Sequence, residues 1–188
     1  MGHAHRARNK FIPLCVGCHG SDLEGNDALS SPAIAGQWDW YIQAQLQKYK
    51  AGLRGNDPTD ANAYSMRNFV KDLSTKEIAD ISAYIKYDTR VKQQKHSFEA
   101  DSKRGKQLYQ ACIACHGEHG LGNAELKSPK LVGLQDWYIV QSLKDFKSGK
   151  RGNAQSDSEG QLMRSSAQLN ETEQDMKDLA AYVNSLVK

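Results

Sequence analysis

Two stretches decide the reading of this chain: Cys15-Val16-Gly17-Cys18-His19 and Cys112-Ile113-Ala114-Cys115-His116. Each is a Cys-x-x-Cys pair followed at once by histidine. Two thiols one helical turn apart can add to the two vinyl groups on one porphyrin edge, and the histidine beside the second thioether then sits under the iron. The pattern therefore points to covalent attachment of a c-type haem, twice. A four-cysteine zinc site normally has its pairs about 15 to 20 residues apart, whereas 93 residues separate Cys18 from Cys112. A thioredoxin-like redox pair needs a βαβ context that neither flank offers, and structural disulfides leave the two histidines unexplained. Cys15, Cys18, Cys112 and Cys115 are read as the attachment points, and His19 and His116 as the proximal iron ligands.

Working outward from these motifs, an offset of 97 residues superimposes one half of the chain on the other. Pro32 maps to Pro129, Trp40 to Trp137, Gly52, Arg54, Gly55 and Asn56 to Gly149, Arg151, Gly152 and Asn153, and Met66 to Met163. The chain reads as a duplicated one-haem module, with domains over 1–90 and 101–188. A polar stretch at 91–100, containing Lys92, Gln93, Gln94 and Lys95, reads as a linker.

Composition agrees with a core completed by a cofactor. Of 188 residues, 39% are hydrophobic, and the mean hydropathy of −0.70 is lean for a chain that builds its own interior. No run approaches the roughly 18 apolar residues of a membrane span. The formal charge is +3 without a long Lys/Arg block, which argues against nucleic-acid partners. That excess falls on residues 1–95, which carry 13 Lys and Arg against 10 Asp and Glu, while 96–188 carry 12 of each. Lys48, Lys50 and Arg54 are expected to contribute to a basic rim on the first module.

The periodicity is helical throughout and no alternating strand pattern appears, so the expected class is all-α. Apolar residues 38, 42, 46 and 49 mark a helix from Trp38 to Ala51 that ends at Gly52, and Asp136–Ser148 repeats it before Gly149. A later helix in each module is expected to start at a capping box, Ser74 with Glu77 and Asn170 with Glu173. Ser102 to Ala111 is predicted to run as a helix into the second haem motif. Its counterpart, Arg8 to Leu14, is predicted to be short or bent because Pro13 interrupts it.

Each iron needs a distal ligand, and a thioether is a soft donor that raises the potential. Met66 and Met163 each stand 47 residues after their histidine, in a context that reads as poorly helical. Core filling is the alternative for each. Met176 lies on an apolar stripe with Leu179 and Val183 and is assigned to the core. His3, His5, His96 and His119 have no repeat equivalents and are read as surface residues. Arg54 and Arg151, with Trp40 and Trp137, are candidates to hydrogen-bond the haem propionates, since a guanidinium fork suits a carboxylate and indole offers a donor. A solvated turn for the arginines and plain packing for the tryptophans are the alternatives.

Jointly, the two haem motifs, the proline 13 residues after each histidine, the Gly-x-Arg-Gly-Asn turns and the equally spaced methionines resemble tandem class I cytochromes c of the dihaem cytochrome c4 group. The resemblance implies two globular domains, each wrapped around one covalently attached haem c, facing each other with haem edges close enough to exchange electrons. It implies that Pro32 and Pro129 offer a backbone carbonyl to the other ring nitrogen of His19 and His116. Gly105 and Tyr109 match the residues by which such modules pack first helix on last, whereas Arg8 and Ile12 stand at those positions in the first module. The implied role is a periplasmic, non-enzymatic carrier passing electrons from a donor protein to a terminal oxidase or reductase, with Met1 to His5 standing where a cleaved leader would end. A subunit dedicated to one oxidoreductase complex shares that chemistry, and a catalytic dihaem enzyme is the remaining alternative.

Overall fold

The computed structural model describes residues 11–87, 94 and 97–187. The chain divides into two compact units, Met1–Val91 and Lys92–Lys188. Both are all-α; among the described residues the only β-type pairing is one isolated bridge in each unit, Asn26 with Ser31 and Asn123 with Ser128.

In the first unit, helix α1 (Ile12–His19) carries the haem motif. The helix expected over Arg8 to Leu14, short or bent at Pro13, begins outside the described residues, and Pro13 lies within α1. It occupies the first turn, where its missing N–H costs nothing and its fixed φ suits helix entry. A short 3₁₀ turn at Asp27–Leu29 leads to α2 (Asp39–Lys50), α3 (Ala61–Val70) and α4 (Thr75–Tyr87). The α4 start is a capping box: the Ser74 hydroxyl accepts from Glu77 N–H at 3.2 Å, and the Glu77 carboxylate accepts from Ser74 N–H at 2.9 Å. Helix α2 packs on both α3 and α4. Ile42, Leu46 and Tyr49 from α2 meet Ile78, Ile81 and Ile85 from α4 in one buried cluster, the i, i+3/i+4 stripes of two amphipathic helices.

The second unit repeats this plan with α5 (Ser102–Tyr109), the short motif helix α6 (Ile113–His116), α7 (Asp136–Ser148), α8 (Ser158–Ala167) and α9 (Glu173–Ser185). The helix expected to run into the haem motif stops at Tyr109, and a turn separates it from α6. The α9 capping box is also displaced from the expected pair. It is Thr172 with Asp175, not Asn170 with Glu173. The shorter aspartate reaches back to the Thr172 N–H at 2.9 Å, which leaves Glu173 to pair with Lys144 and Lys177 on the surface. Met176, Leu179 and Val183 are buried against Ile139, Leu143 and Phe146 of α7.

Helices α3 and α8, each holding a candidate methionine, escape the periodicity because Asn62, Ser65, Arg67 and Asn68, or Gln161, Arg164, Ser165 and Ser166, dilute their apolar faces. An aspartate caps each of them. Asp60 accepts from Ala63 N–H at 3.2 Å and Asp157 from Gly160 N–H at 2.9 Å, at equal offsets in the two repeats. His3, His5, His96, Arg8 and Met1 to His5, together with half of the expected linker 91–100, lie outside the described residues.

Candidate haem sites

In both units the motif histidine is the last residue of the motif helix, followed by a positive-φ glycine, Gly20 (φ 85) or Gly117 (φ 76), which turns the chain away. The loop that follows is locked in the same way twice. The His19 carbonyl accepts from Gly25 N–H at 2.7 Å, and the His116 carbonyl from Gly122 N–H at 2.9 Å. The Asn26–Ser31 and Asn123–Ser128 bridges then fold the loop back. This return lays Pro32 against His19 and Pro129 against His116: each imidazole Nδ1 donates to the proline carbonyl, at 2.7 Å and 2.9 Å.

The hydrogen bond fixes the tautomer, since a carbonyl only accepts. Nδ1 keeps the proton, and Nε2 keeps a lone pair. Both rings are buried, 8% and 6% exposed. Burial lowers the imidazole pKa, partly opposed by the proline carbonyl. Each ring is thus held neutral, the form in which imidazole ligates a metal.

Cys15 and Cys112 are half-buried, and desolvation, with the neighbouring motif cysteine second, pushes each thiol up to about 11. Cys18 is also half-buried, and Cys115 is exposed. None of the four is in a disulfide. One neutral Nε2 donor and two thiols on one helical turn are the donor set a covalently attached haem requires, so the residues fit that group in both units.

Met66 on α3 and Met163 on α8 are half-buried. Each packs against its own unit's apolar cluster, and Cys15 and Cys112 pack against the same two clusters, one in each unit. The poorly helical context read from the sequence is corrected here, since both methionines sit mid-helix.

Trp40 and Trp137 lie in the first turns of α2 and α7, each edge-on to the next tyrosine with centroids 5.8 Å apart. Arg54 and Arg151 follow the far ends of the same helices. Arg54 lies over the Tyr49 ring at 4.6 Å and donates to Gln45 Oε1 at 2.8 Å. Arg151, 6% exposed, lies over Phe146 at 4.2 Å and donates to Ser142 Oγ at 3.1 Å. Neither arginine dangles in a solvated turn: stacking and an intrahelical anchor pre-orient both guanidiniums. His119 is exposed.

The cytochrome c family model matches residues 9–88 and again 102–187. Cytochrome c4 of Stutzerimonas stutzeri is 31% identical over 198 residues, covering 98% of this chain and 90% of that one. The crystal structure of reduced recombinant cytochrome c4 from Pseudomonas stutzeri superimposes with a TM-score of 0.71 at 28% identity, covering 97% of this chain and 96% of the other. A thiosulfate dehydrogenase from Marichromatium purpuratum, in its as-isolated form, matches with a TM-score of 0.75 at 25% identity, covering 91% of this chain but 36% of the enzyme's.

Proposed function

This chain belongs to the cytochrome c family as a tandem of two domains of the cytochrome c4 kind carrying two covalently bound c-type haems, and from that premise we propose that it is a periplasmic carrier of single electrons between protein partners. The haem, when bound, supplies an iron that alternates between ferrous and ferric states. The chain's own residues hold and tune that iron. His19 and His116 present Nε2, their orientation set by the Pro32 and Pro129 carbonyls at 2.7 Å and 2.9 Å. Met66 and Met163 would supply thioether ligands to the iron, and Cys15, Cys18, Cys112 and Cys115 would fasten the macrocycle. Arg54, Arg151, Trp40 and Trp137 would bind the propionates.

The observation that carries this reading is the duplication of the donor set. Each unit holds a buried neutral imidazole and a half-buried methionine on a helix that borders that unit's own core. With a soft distal donor on each iron, neither site would offer a position to a substrate, which suits transfer rather than turnover. The partners we assign are a donor protein and a terminal oxidase or reductase.

The match to part of a thiosulfate dehydrogenase supports a second reading, in which the same two-domain unit is the electron-transfer subunit of one oxidoreductase complex. The deciding experiment is spectroscopic. The ferric protein is expected to be low-spin at both haems, with a weak far-red sulfur-to-iron band accounting for both, and the ferrous protein is expected not to bind carbon monoxide. A high-spin signal or carbon monoxide binding at either haem overturns the carrier reading. Co-purification from the native host in fixed stoichiometry with a dehydrogenase favours the subunit reading.

A further inference from the structure

Each candidate thioether is followed by an arginine, Met66 by Arg67 and Met163 by Arg164, and the sequence reading gave neither a role. Both side chains lie over the same landmark, the turn that closes the preceding helix. A Cβ built on Gly52 (φ +74), just past α2, would stand 3.6 Å from Arg67 Nε and Nη2. One built on Gly149 (φ +82), just past α7, would stand 3.3 Å from Arg164 Nη2. The glycine leaves room for a guanidinium beside the turn that ends the helix. That is the negative end of the helix dipole, where a cation is favoured.

The contact is elaborated differently in the two units. Arg164 Nη1 donates to Asn153 Oδ1 at 2.9 Å, an asparagine of the same Gly-x-Arg-Gly-Asn turn. In the first unit Arg67 Nε is buried with no hydrogen-bond partner among the described residues. Asn56 Oδ1, the repeat equivalent, lies 3.7 Å from the same point on Gly52. A second contact fixes the opposite side of each turn. A Cβ on Gly55 would stand 2.2 Å from the Ala63 carbonyl oxygen, and one on Gly152 would stand 2.1 Å from that of Gly160. The methionine helix is therefore pinned to one turn twice, by backbone contact near its start and by the arginine one residue after the thioether.

We propose that Arg67 and Arg164 are positioning residues for the distal thioethers. They clamp α3 and α8 to the closing turns of α2 and α7, so that Met66 and Met163 cannot swing away from the iron. Adjacent positions on a helix point about 100° apart, so one residue grips the turn while its neighbour faces the core cluster. The clamp is tighter in the second unit, where Asn153 completes it. This rests on the reading of Met66 and Met163 as axial ligands.

The test follows the far-red sulfur-to-iron band of the ferric holoprotein as pH is raised, together with far-UV circular dichroism. In the wild type, the half of the band belonging to the first unit is expected to vanish at lower pH than the other half. Arg67→Ala and Arg164→Ala should each bring forward the loss of one half only. The expected shift is about one pH unit, corresponding to the roughly tenfold effect of one hydrogen bond to a charged group, with helicity unchanged. Lysine at either position should restore part of the shift, since it keeps the charge without the fork. Asn153→Ala should bring the second unit's midpoint down towards the first's, and gives a readout even if an arginine variant loses helicity. Midpoints unmoved in both alanine variants, or a loss of band that only tracks loss of helicity, overturn the proposal. Met66→Ala and Met163→Ala separate the two levels: if neither removes half of the band, the ligand reading fails; if both do and the arginine variants change nothing, only the clamp fails.

Discussion

Gly105 on α5 meets Asp178 on α9 so closely that a Cβ built on the glycine would stand 1.9 Å from the aspartate's carbonyl oxygen and 2.5 Å from its carbonyl carbon. No L-residue with a side chain fits there without the helices parting. Four residues on, Tyr109 is completely buried, its ring 5.3 Å from that of Tyr182 and its hydroxyl donating to the Gly117 carbonyl at 2.7 Å. The crossing thus reaches the residue after the motif histidine His116. Gly105→Ala is expected to lower the melting transition of the second unit by the equivalent of at least about 1–3 kcal/mol, the usual cost of overpacking, while the first unit's transition stays put. Calorimetry showing both transitions unmoved would refute this account of the crossing.

The same helix pair carries an ionic lock with a definite pH window. Arg104 on α5 pairs with Asp175 and lies 3.5 Å from Asp178 on α9. Asp178 also accepts the Asp101 N–H at 2.9 Å. The Arg104 guanidinium first, and the Thr172 backbone and hydroxyl after it, hold the Asp175 carboxyl down at about 2 against an ordinary 3.8. A carboxyl whose pKa is depressed by folding stabilises the fold above its unfolded value and loses that contribution as pH falls through the folded one. The lock is therefore complete above about pH 4 and gone below about pH 2. Thermal melts of the holoprotein between those limits should show the second unit falling more steeply in the wild type than in Arg104→Ala. Parallel slopes would remove the lock from the explanation.

The sequence made the haem chemistry legible because covalent attachment demands a contiguous motif, and the duplication made the rest countable: Pro32 and Met66 stand out only because Pro129 and Met163 repeat their spacing. Helices α2, α4, α7 and α9 were legible from their apolar stripes. What stayed hidden depends on partners distant in the chain. Lys50, read as part of an exposed basic rim, donates through Nζ to the Leu73 carbonyl, and Lys147 donates to Asn170 and Glu171 carbonyls. These ammonium groups tie loops down, which no local pattern announces. The α9 cap was misplaced because residues 170–175 offer two overlapping boxes, Asn170 with Glu173 and Thr172 with Asp175, and the second is the one whose acid pairs with Arg104, far away in the chain. Leu23 shows the limit from the other side. It holds a positive φ of 58 where the second repeat has Gly120, because its side chain is 1% exposed inside the first core.

The closing turns give a steric expectation independent of charge. Gly55→Ala and Gly152→Ala place a methyl group 2.2 Å and 2.1 Å from the Ala63 and Gly160 carbonyl oxygens, at φ +71 and +68. The first turn of α3 or α8 must then retreat, and the methionine with it. Each variant is expected to lose its unit's half of the far-red band at neutral pH and to gain a high-spin ferric signal of equal weight. A full low-spin spectrum in both variants would show that the turn does not set the methionine's position.

Removal of the thioethers themselves should appear in the potentials. Axial ligand identity moves haem potentials over a range of up to about 0.8 V, and a thioether favours the ferrous state. Met66→Ala should therefore lower one of two potentiometric steps, by on the order of 0.1 V or more, and leave the other in place. Met163→Ala should do the converse. The independence has a structural reason: Met66 packs on the cluster of Ile42, Leu46 and Ile81, Met163 on that of Ile139, Leu143 and Leu179, and no described residue belongs to both. Loss of a ligand in one unit accordingly leaves the other unit's packing untouched. Spectroelectrochemical titration of each variant beside the wild type resolves the steps. Two unchanged steps in either variant would return that methionine to the role of core filler, whereas both steps falling together would refute the independence of the two haem cores.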